Sequence, residues 1–288
     1  MRNIEITTRI GCKNMCKFCP QTVFIREYRK NKGDIIMKFD TFKKCIDKLP
    51  RDVQITFSGM SEPWLNKDMT KMLLYAVKKG FEEFRVYTTG VGMEKEDVDK
   101  IKKIPFNKFV VHLPDADNNA IIPVTKNHKE LLLKIKKSNI KNCSYMTMGT
   151  LHPELVTDFG DLVVSPKMIS KAGNLETFEK INHKGPIMCN SEFGLKHSMM
   201  VPNGDIYLCC MDNALQYKIG NLLKNSYKSL YAGEEFKLIE KKLKDEKLGD
   251  VLCRHCEMAV VDNYKKHFRP LKKALLSTLG RMGLPRVR

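Results

Sequence analysis

The chain has no apolar run approaching the ~18 residues of a membrane-spanning helix, so a spanning protein is not expected. Its opening, Met1-Arg2-Asn3-Ile4-Glu5, has no basic stretch followed by an apolar one, so no secretory leader is read there. Repeats, low-complexity tracts and Gly/Ser linkers are absent, which sets aside solenoids and tethered modules. Acid is scarce: 33 Asp and Glu stand against 51 Lys and Arg, for a net charge of +18. Cysteine is not scarce. Ten of them, without an export signal, argue for a reducing cytoplasmic setting and for metal binding in preference to disulfides. A chain of 288 residues can bury a main core and a smaller one.

The surplus of positive charge has three possible uses: a nucleic-acid backbone, an anionic substrate or an anionic membrane face. Lysine pairs at 43–44, 78–79, 102–103, 136–137 and 241–242 fall on helical stretches and read as solvated faces, so nucleic acid is not expected as a partner. The last 26 residues differ. Lys265, Lys266, Arg269, Lys272, Lys273, Arg281, Arg286 and Arg288 put +8 of the charge there, and Leu271, Leu275, Leu276 and Leu279 recur at helical spacing. That pattern suits a helix packed with its basic face in water, or one making peripheral contact with a membrane.

The strongest local signal is Cys12-Lys13-Asn14-Met15-Cys16-Lys17-Phe18-Cys19, on the loop that leaves a strand at 4–7. A [4Fe–4S] cube usually takes four cysteines, and three are local here. One iron would keep a position for a ligand that is not protein. A zinc knuckle is the alternative, but structural zinc needs four closed ligands and no fourth Cys or His lies close by.

Strand-like and helix-like stretches then alternate. Helices are expected at 41–49, with Asp40 as N-cap, and at 69–79, 94–104 and 128–137. Strands are expected at 53–57, 84–88, 109–113, 144–148 and 162–164. Such units build parallel α/β sheets whose ligands sit at the carboxyl ends of the strands. Those ends carry Gly59-Met60-Ser61-Glu62-Pro63, then Tyr87-Thr88-Thr89-Gly90, then His112.

Cysteines resume after a break near 182–186. Cys189 precedes a hairpin that turns at Asn203-Gly204 and returns to Cys209. A helix over 229–248 leads to Cys253-Arg254-His255-Cys256. Cys189, Cys209, Cys253 and Cys256 can close a four-thiolate site, for zinc or for iron–sulfur. Cys45 reads as core. Cys210 follows a ligand on a strand, so it is expected to point to the other face and pack there.

The CxxxCxxC spacing, with Phe18 before the third cysteine, resembles the radical S-adenosylmethionine (radical SAM) family. The resemblance implies a partial (β/α)6 barrel over 1–185. It also implies a [4Fe–4S] cluster on Cys12, Cys16 and Cys19, with SAM on the open iron, yielding a 5′-deoxyadenosyl radical. Gly59, Ser61 and Glu62 stand where the family carries GGEP, which holds the amino group of SAM. Met60 and Ser61 replace its two glycines. Thr88 opens a stretch similar to the family's TNG, and His112 is a further cofactor-site candidate.

The later cysteines resemble the SPASM/twitch branch in its one-cluster form. That implies a second [4Fe–4S] cluster within a hairpin-plus-helix domain over 186–262, with 263–288 as the tail. Their order is similar to that of deoxy-scyllo-inosamine dehydrogenases of aminoglycoside biosynthesis. That likeness implies oxidation of a secondary alcohol on a sugar or cyclitol, fed by an electron donor such as flavodoxin or ferredoxin. It places Lys171, in Ser170-Lys171-Ala172-Gly173-Asn174, as a substrate contact or base. The alternatives are an epimerase or peptide-modifying maturase, with Cys210 or Cys143 returning a hydrogen, and a zinc-binding nucleic-acid protein.

Overall fold

The computed structural model describes residues 2–31 and 33–262. The tail at 263–288, with its membrane or packing alternatives, lies outside the described residues. The chain runs β1 (Arg2–Ile6), α1 (Gln21–Lys30), α2 (Phe39–Ile46), β2 (Val53–Phe57), α3 (Met69–Lys78), β3 (Phe84–Thr88), α4 (Lys95–Ile101), β4 (Lys108–His112), α5 (Lys126–Lys137), β5 (Cys143–Met146), α6 (Val156–Phe159) and β6 (Val163–Val164). These six strands are parallel and lie side by side in chain order, as a partial barrel requires.

The later part adds β7 (Ile187–Cys189), β8 (His197–Met200), β9 (Asp205–Tyr207), β10 (Lys218–Asn221), α7 (Tyr227–Ala232), α8 (Glu234–Lys244) and β11 (Ala259–Val261). β8 pairs parallel with β1, placing His197 opposite Asn3, and β9 and β10 continue the same sheet antiparallel. β7 and β11 form a separate two-stranded sheet with Cys189 opposite Ala259. No helix among the described residues is long and apolar enough to cross a membrane.

Alternation along the strands separates two environments. Ile4, Ile6, Ile55, Phe57, Phe84, Val86, Phe109 and Val111 are fully buried in one core with Phe42, Met72, Leu73, Ile101, Leu132 and Ile135 of the helices. Side chains of this size contribute about 1.5–3 kcal/mol each on burial. The opposite phase, Asn3, Glu5, Thr56, Arg85, Tyr87 and His112, lines a cavity inside the barrel.

Most differences from the expected elements lie at their ends. α2 starts at Phe39, with Lys38 as N-cap. Asp40 sits in the first turn and pairs with Lys43 at 2.8 Å, where a carboxylate also complements the helix dipole. The helix expected at 229–248 is two helices, because Gly233 is extended and separates α7 from α8. α1 was not expected. Phe24 and Tyr28, one turn apart, bury the same face.

Candidate active site

The cysteine loop between β1 and α1 is shaped by its neighbours. Asn14 Nδ2 donates to Thr89 Oγ1 at 2.9 Å. Lys17 N donates to the Asn119 carbonyl at 2.8 Å, Ile121 N to the Asn14 carbonyl at 2.5 Å, and Cys19 N to the Cys16 carbonyl at 3.0 Å. Burial pushes all three thiols above their ordinary value, and Cys16 is raised further by the charges of Cys19 and Cys12. Three close, half-buried sulfurs therefore hold their protons until a cation replaces them.

The second strand end closes over this loop. Gly59 has φ +74°, and a Cβ there would lie 2.2 Å from Thr7 Oγ1, so only glycine fits. Ser61 Oγ donates to the Arg9 carbonyl at 2.6 Å, and Gln21 Nε2 donates to the Met60 carbonyl. Glu62 is 4% exposed. Its carboxylate accepts from Thr88 Oγ1 at 2.6 Å, Thr89 N at 2.6 Å, Thr89 Oγ1 at 2.8 Å and Trp64 N at 3.3 Å. Those four donors use up its acceptor positions, so Glu62 and Thr88 lock the second strand end to the third. Burial nonetheless pushes the carboxyl up. Phe18 packs on His112 with centroids 5.4 Å apart. Burial lowers the His112 imidazole to about 4, leaving it neutral.

The cysteine triad, the Gly59–Glu62 turn, His112, Lys171 and Cys210 line one cavity of about 410 Å³. Its floor holds groups that the sequence reading did not single out. Glu5 accepts from Ser58 Oγ at 2.9 Å and pairs with His197 Nε2 at 2.9 Å. Burial alone would raise Glu5, but His197 and Ser58 outweigh it and hold the carboxyl below its usual range. Burial likewise opposes His197, and Glu5 outweighs it, so the imidazole is raised. Arg85 pairs in bidentate fashion with Glu192 at 2.8 and 2.5 Å and stacks over Phe193.

Cys189, Cys209, Cys253 and Cys256 line a second cavity of about 250 Å³, walled by Phe193, Leu208, Leu252 and Met258. Burial pushes Cys253 up, and Cys256 to about 11. A hydrogen bond from the Cys210 thiol lowers Cys209, while Cys210 is itself raised. The buried Arg254 guanidinium ties this region together. It donates to the carbonyls of His183 at 3.1 Å, Gly185 at 2.8 Å and Lys242 at 2.6 Å.

The expectation for Cys210 is corrected by the structure. Strand β9 ends at Tyr207, so strand alternation no longer applies at 210. Cys210 lies in the wall between the two cavities, and Arg85, Phe193 and His197 line both as well.

A model of the radical SAM superfamily matches residues 6–163, more than half of the chain. The chain belongs to the radical SAM superfamily. A second model, of the SPASM iron–sulfur cluster-binding domain, matches residues 189–257, which contain Cys189, Cys209, Cys253 and Cys256. No curated protein sequence matches the chain.

Three solved structures share the fold of this radical SAM protein. BtrN in complex with AdoMet and 2-DOIA has TM-score 0.63 and 16% identity, covering 91% of this chain and 94% of that one. SuiB of Streptococcus suis bound to precursor peptide SuiA has TM-score 0.59 and 13% identity, covering 89% and 71%. AdoMet-bound anSMEcpe has TM-score 0.56 and 12% identity, covering 97% and 94%.

Family membership implies a [4Fe–4S] cluster with SAM at the triad and further iron–sulfur chemistry at the later cysteines. The residues fit both. At the triad, three thiols share their cavity with buried polar atoms that have no partner: Asn14 Oδ1, Gln21 Oε1 and His112 Nε2. Unsatisfied groups of this kind suit a polar cofactor. At the second site four thiols line one apolar chamber, which suits a closed cluster. The zinc readings give way to iron–sulfur at both.

Proposed function

We propose that this radical SAM enzyme is a dehydrogenase that oxidises a secondary alcohol of a sugar or cyclitol. When bound, SAM and the triad's cluster supply hydrogen abstraction, and a cluster at the second site supplies an electron acceptor. The observation that carries the reading is the shared wall: Arg85, Phe193, His197 and Cys210 separate the catalytic cavity from the second thiol chamber by one layer of side chains. A substrate in the barrel would touch that layer. The barrel floor is polar, with Asn3, Glu5, Thr56, Arg85 and Tyr87, as a many-hydroxyl ligand needs. BtrN, crystallised with AdoMet and 2-DOIA, supports the same direction. A low-potential donor of the flavodoxin or ferredoxin type would supply the electron that starts turnover.

The test is turnover of candidate polyols with SAM under anaerobic conditions. The dehydrogenase reading expects one ketone for each 5′-deoxyadenosine formed. An unoxidised isomer carrying solvent deuterium would overturn it in favour of a second reading, an epimerase. One observation supports that reading: the Cys210 sulfur, a Glu5 oxygen and a His197 nitrogen lie within 4.8 Å of one another. Cys210→Ala would then keep SAM cleavage and lose the isomer. The likeness to anSMEcpe and to peptide-bound SuiB keeps peptide substrates in the same trial.

A further inference from the structure

The charged groups of the catalytic cavity have hydrogen-bond partners, with one exception. Glu5 has His197 and Ser58. Arg85 has Glu192. Glu62 is enclosed by Thr88, Thr89 and Trp64. Among the described residues, Lys171 alone of these lines the cavity with no hydrogen bond or ion pair on its ammonium. It shares the cavity lining with Cys19 of the triad and with Cys210 of the wall. Beside it, Arg85 Nε is also buried without a partner.

The backbone that presents Lys171 is strained and clasped. Lys171 and Ala172 both have φ of 54°, and Gly173 follows at 77°. Left-handed residues other than glycine are strained and persist only where the surroundings over-determine them. Here the Glu257 carboxylate does so. It accepts from Ser170 N and, at 3.4 Å, from Ala172 N. Ser170 Oγ accepts from Gly173 N at 2.9 Å, and Asn174 Nδ2 bridges the carbonyls of Lys171 at 2.7 Å and Met211 at 3.0 Å. Glu257 follows Cys256, and Met211 lies two residues after Cys209. The chain that carries the second thiol set therefore also holds the Lys171 loop in place.

Resting on the reading of this cavity as the substrate site, we propose that Lys171 binds an anionic group of the substrate, a phosphate or a carboxylate. Glu257 is the positioning residue that fixes the loop. An ammonium with no partner is left free to pair with a ligand. A polyol bearing one anionic group pairs with it, and Arg85 Nε offers a second donor. A neutral sugar leaves the ammonium unpaired, and an amino sugar brings a like charge to it.

The experiment measures equilibrium binding of four probes to the cluster-loaded, SAM-bound enzyme: glucose, glucosamine, glucose 6-phosphate and glucuronate. At least one anionic probe should bind tenfold or more tighter than glucose, and the two anions identify which group is read. Lys171→Gln should remove that advantage and leave glucose unchanged, while Lys171→Arg restores most of it. Glu257→Gln should weaken the anionic probe by several-fold and speed proteolysis within 165–175, a readout that does not depend on turnover. The proposal is overturned if no anion outcompetes glucose. It is also overturned if Lys171→Gln weakens SAM binding without substrate as much as it weakens the anion, since Lys171 would then be holding the SAM carboxylate. Lysine-dependent anion binding without ketone formation would uphold this subsite and defeat the dehydrogenase reading.

Discussion

The two thiol sets are built by opposite strategies. Cys12, Cys16 and Cys19 come from one eight-residue loop, and the hydrogen bonds that shape it run to Thr89, Asn119 and Ile121, all within the barrel. Cys189, Cys209, Cys253 and Cys256 come from β7, the end of the hairpin and a short turn after α8, and they meet only when the chain between them has folded. The first set opens into a cavity lined by polar and apolar side chains together, and the second is enclosed by walls that are almost wholly apolar. A local motif can thus leave a coordination position open, because the barrel and not the metal supports it. A dispersed set needs its metal as a staple, and binding energy there becomes folding energy.

The largest effect should come from removing each set in turn. Anaerobic reconstitution should give about eight iron and eight sulfide per chain, as two cubes. Replacing Cys12, Cys16 and Cys19 together with alanine should halve the iron and abolish SAM cleavage, with little change in thermal midpoint. Replacing Cys253 and Cys256 should also halve the iron but keep SAM cleavage, and it should expose residues 186–262 to protease. If the triad variant is the one that loosens its region, the contrast fails.

The next test removes one polar anchor from each region. Arg254 is 4% exposed and donates to three carbonyls. Arg254→Met should cost about 3 kcal/mol, because three part-buried carbonyls lose a charged donor. In the first region Asn14→Ala removes a single bond to Thr89, and about 1 kcal/mol is expected. Chemical denaturation of the metal-free proteins measures both. Equal losses would mean that the barrel loop depends on single contacts as heavily as the second region does.

How much of this was legible in the sequence follows the same division. β2 and β3 have their expected bounds, because apolar and polar residues alternate over five positions in each and one register puts the apolar set in the core. The triad was legible because its spacing is local. The Glu5–His197 pair joins residues 192 apart, and the Glu257 clasp on Ser170 joins residues 87 apart. Neither leaves a mark in any window of sequence. The polar phase of β1, Asn3 and Glu5 opposite Ile4 and Ile6, was the one available hint of a polar barrel floor. Cys210 was misplaced because period-two reasoning was carried past the last residue of β9. Gly233 shows the converse, a glycine inside a helical pattern that does end the helix.

The smallest effect concerns pH and again separates the regions. The imidazoles buried without a partner at Nε2, His112 and His128, both belong to the barrel. In the second region His183 and His255 have hydrogen-bond partners. Burial lowers His128 below its ordinary 6.5, and its place in the first turn of α5 sets any positive charge against the helix dipole. For a base depressed in this way, the stability it contributes is present above pH 6.5. It is lost as pH falls toward the folded-state value, because the unfolded chain takes the proton first. The turn at Gly90 packs against this ring, with a Cβ there placed 3.5 Å from His128 Cε1, and the neighbouring Thr89 holds Asn14. Acid should therefore loosen the first turn of α5 and residues 89–92 before it loosens 186–262, as read by hydrogen exchange of the metal-free protein at pH 7 and pH 5.5. His128→Leu should flatten that slope. An unchanged slope in the variant would assign the acid response to His112, whose ring lies in the catalytic cavity itself.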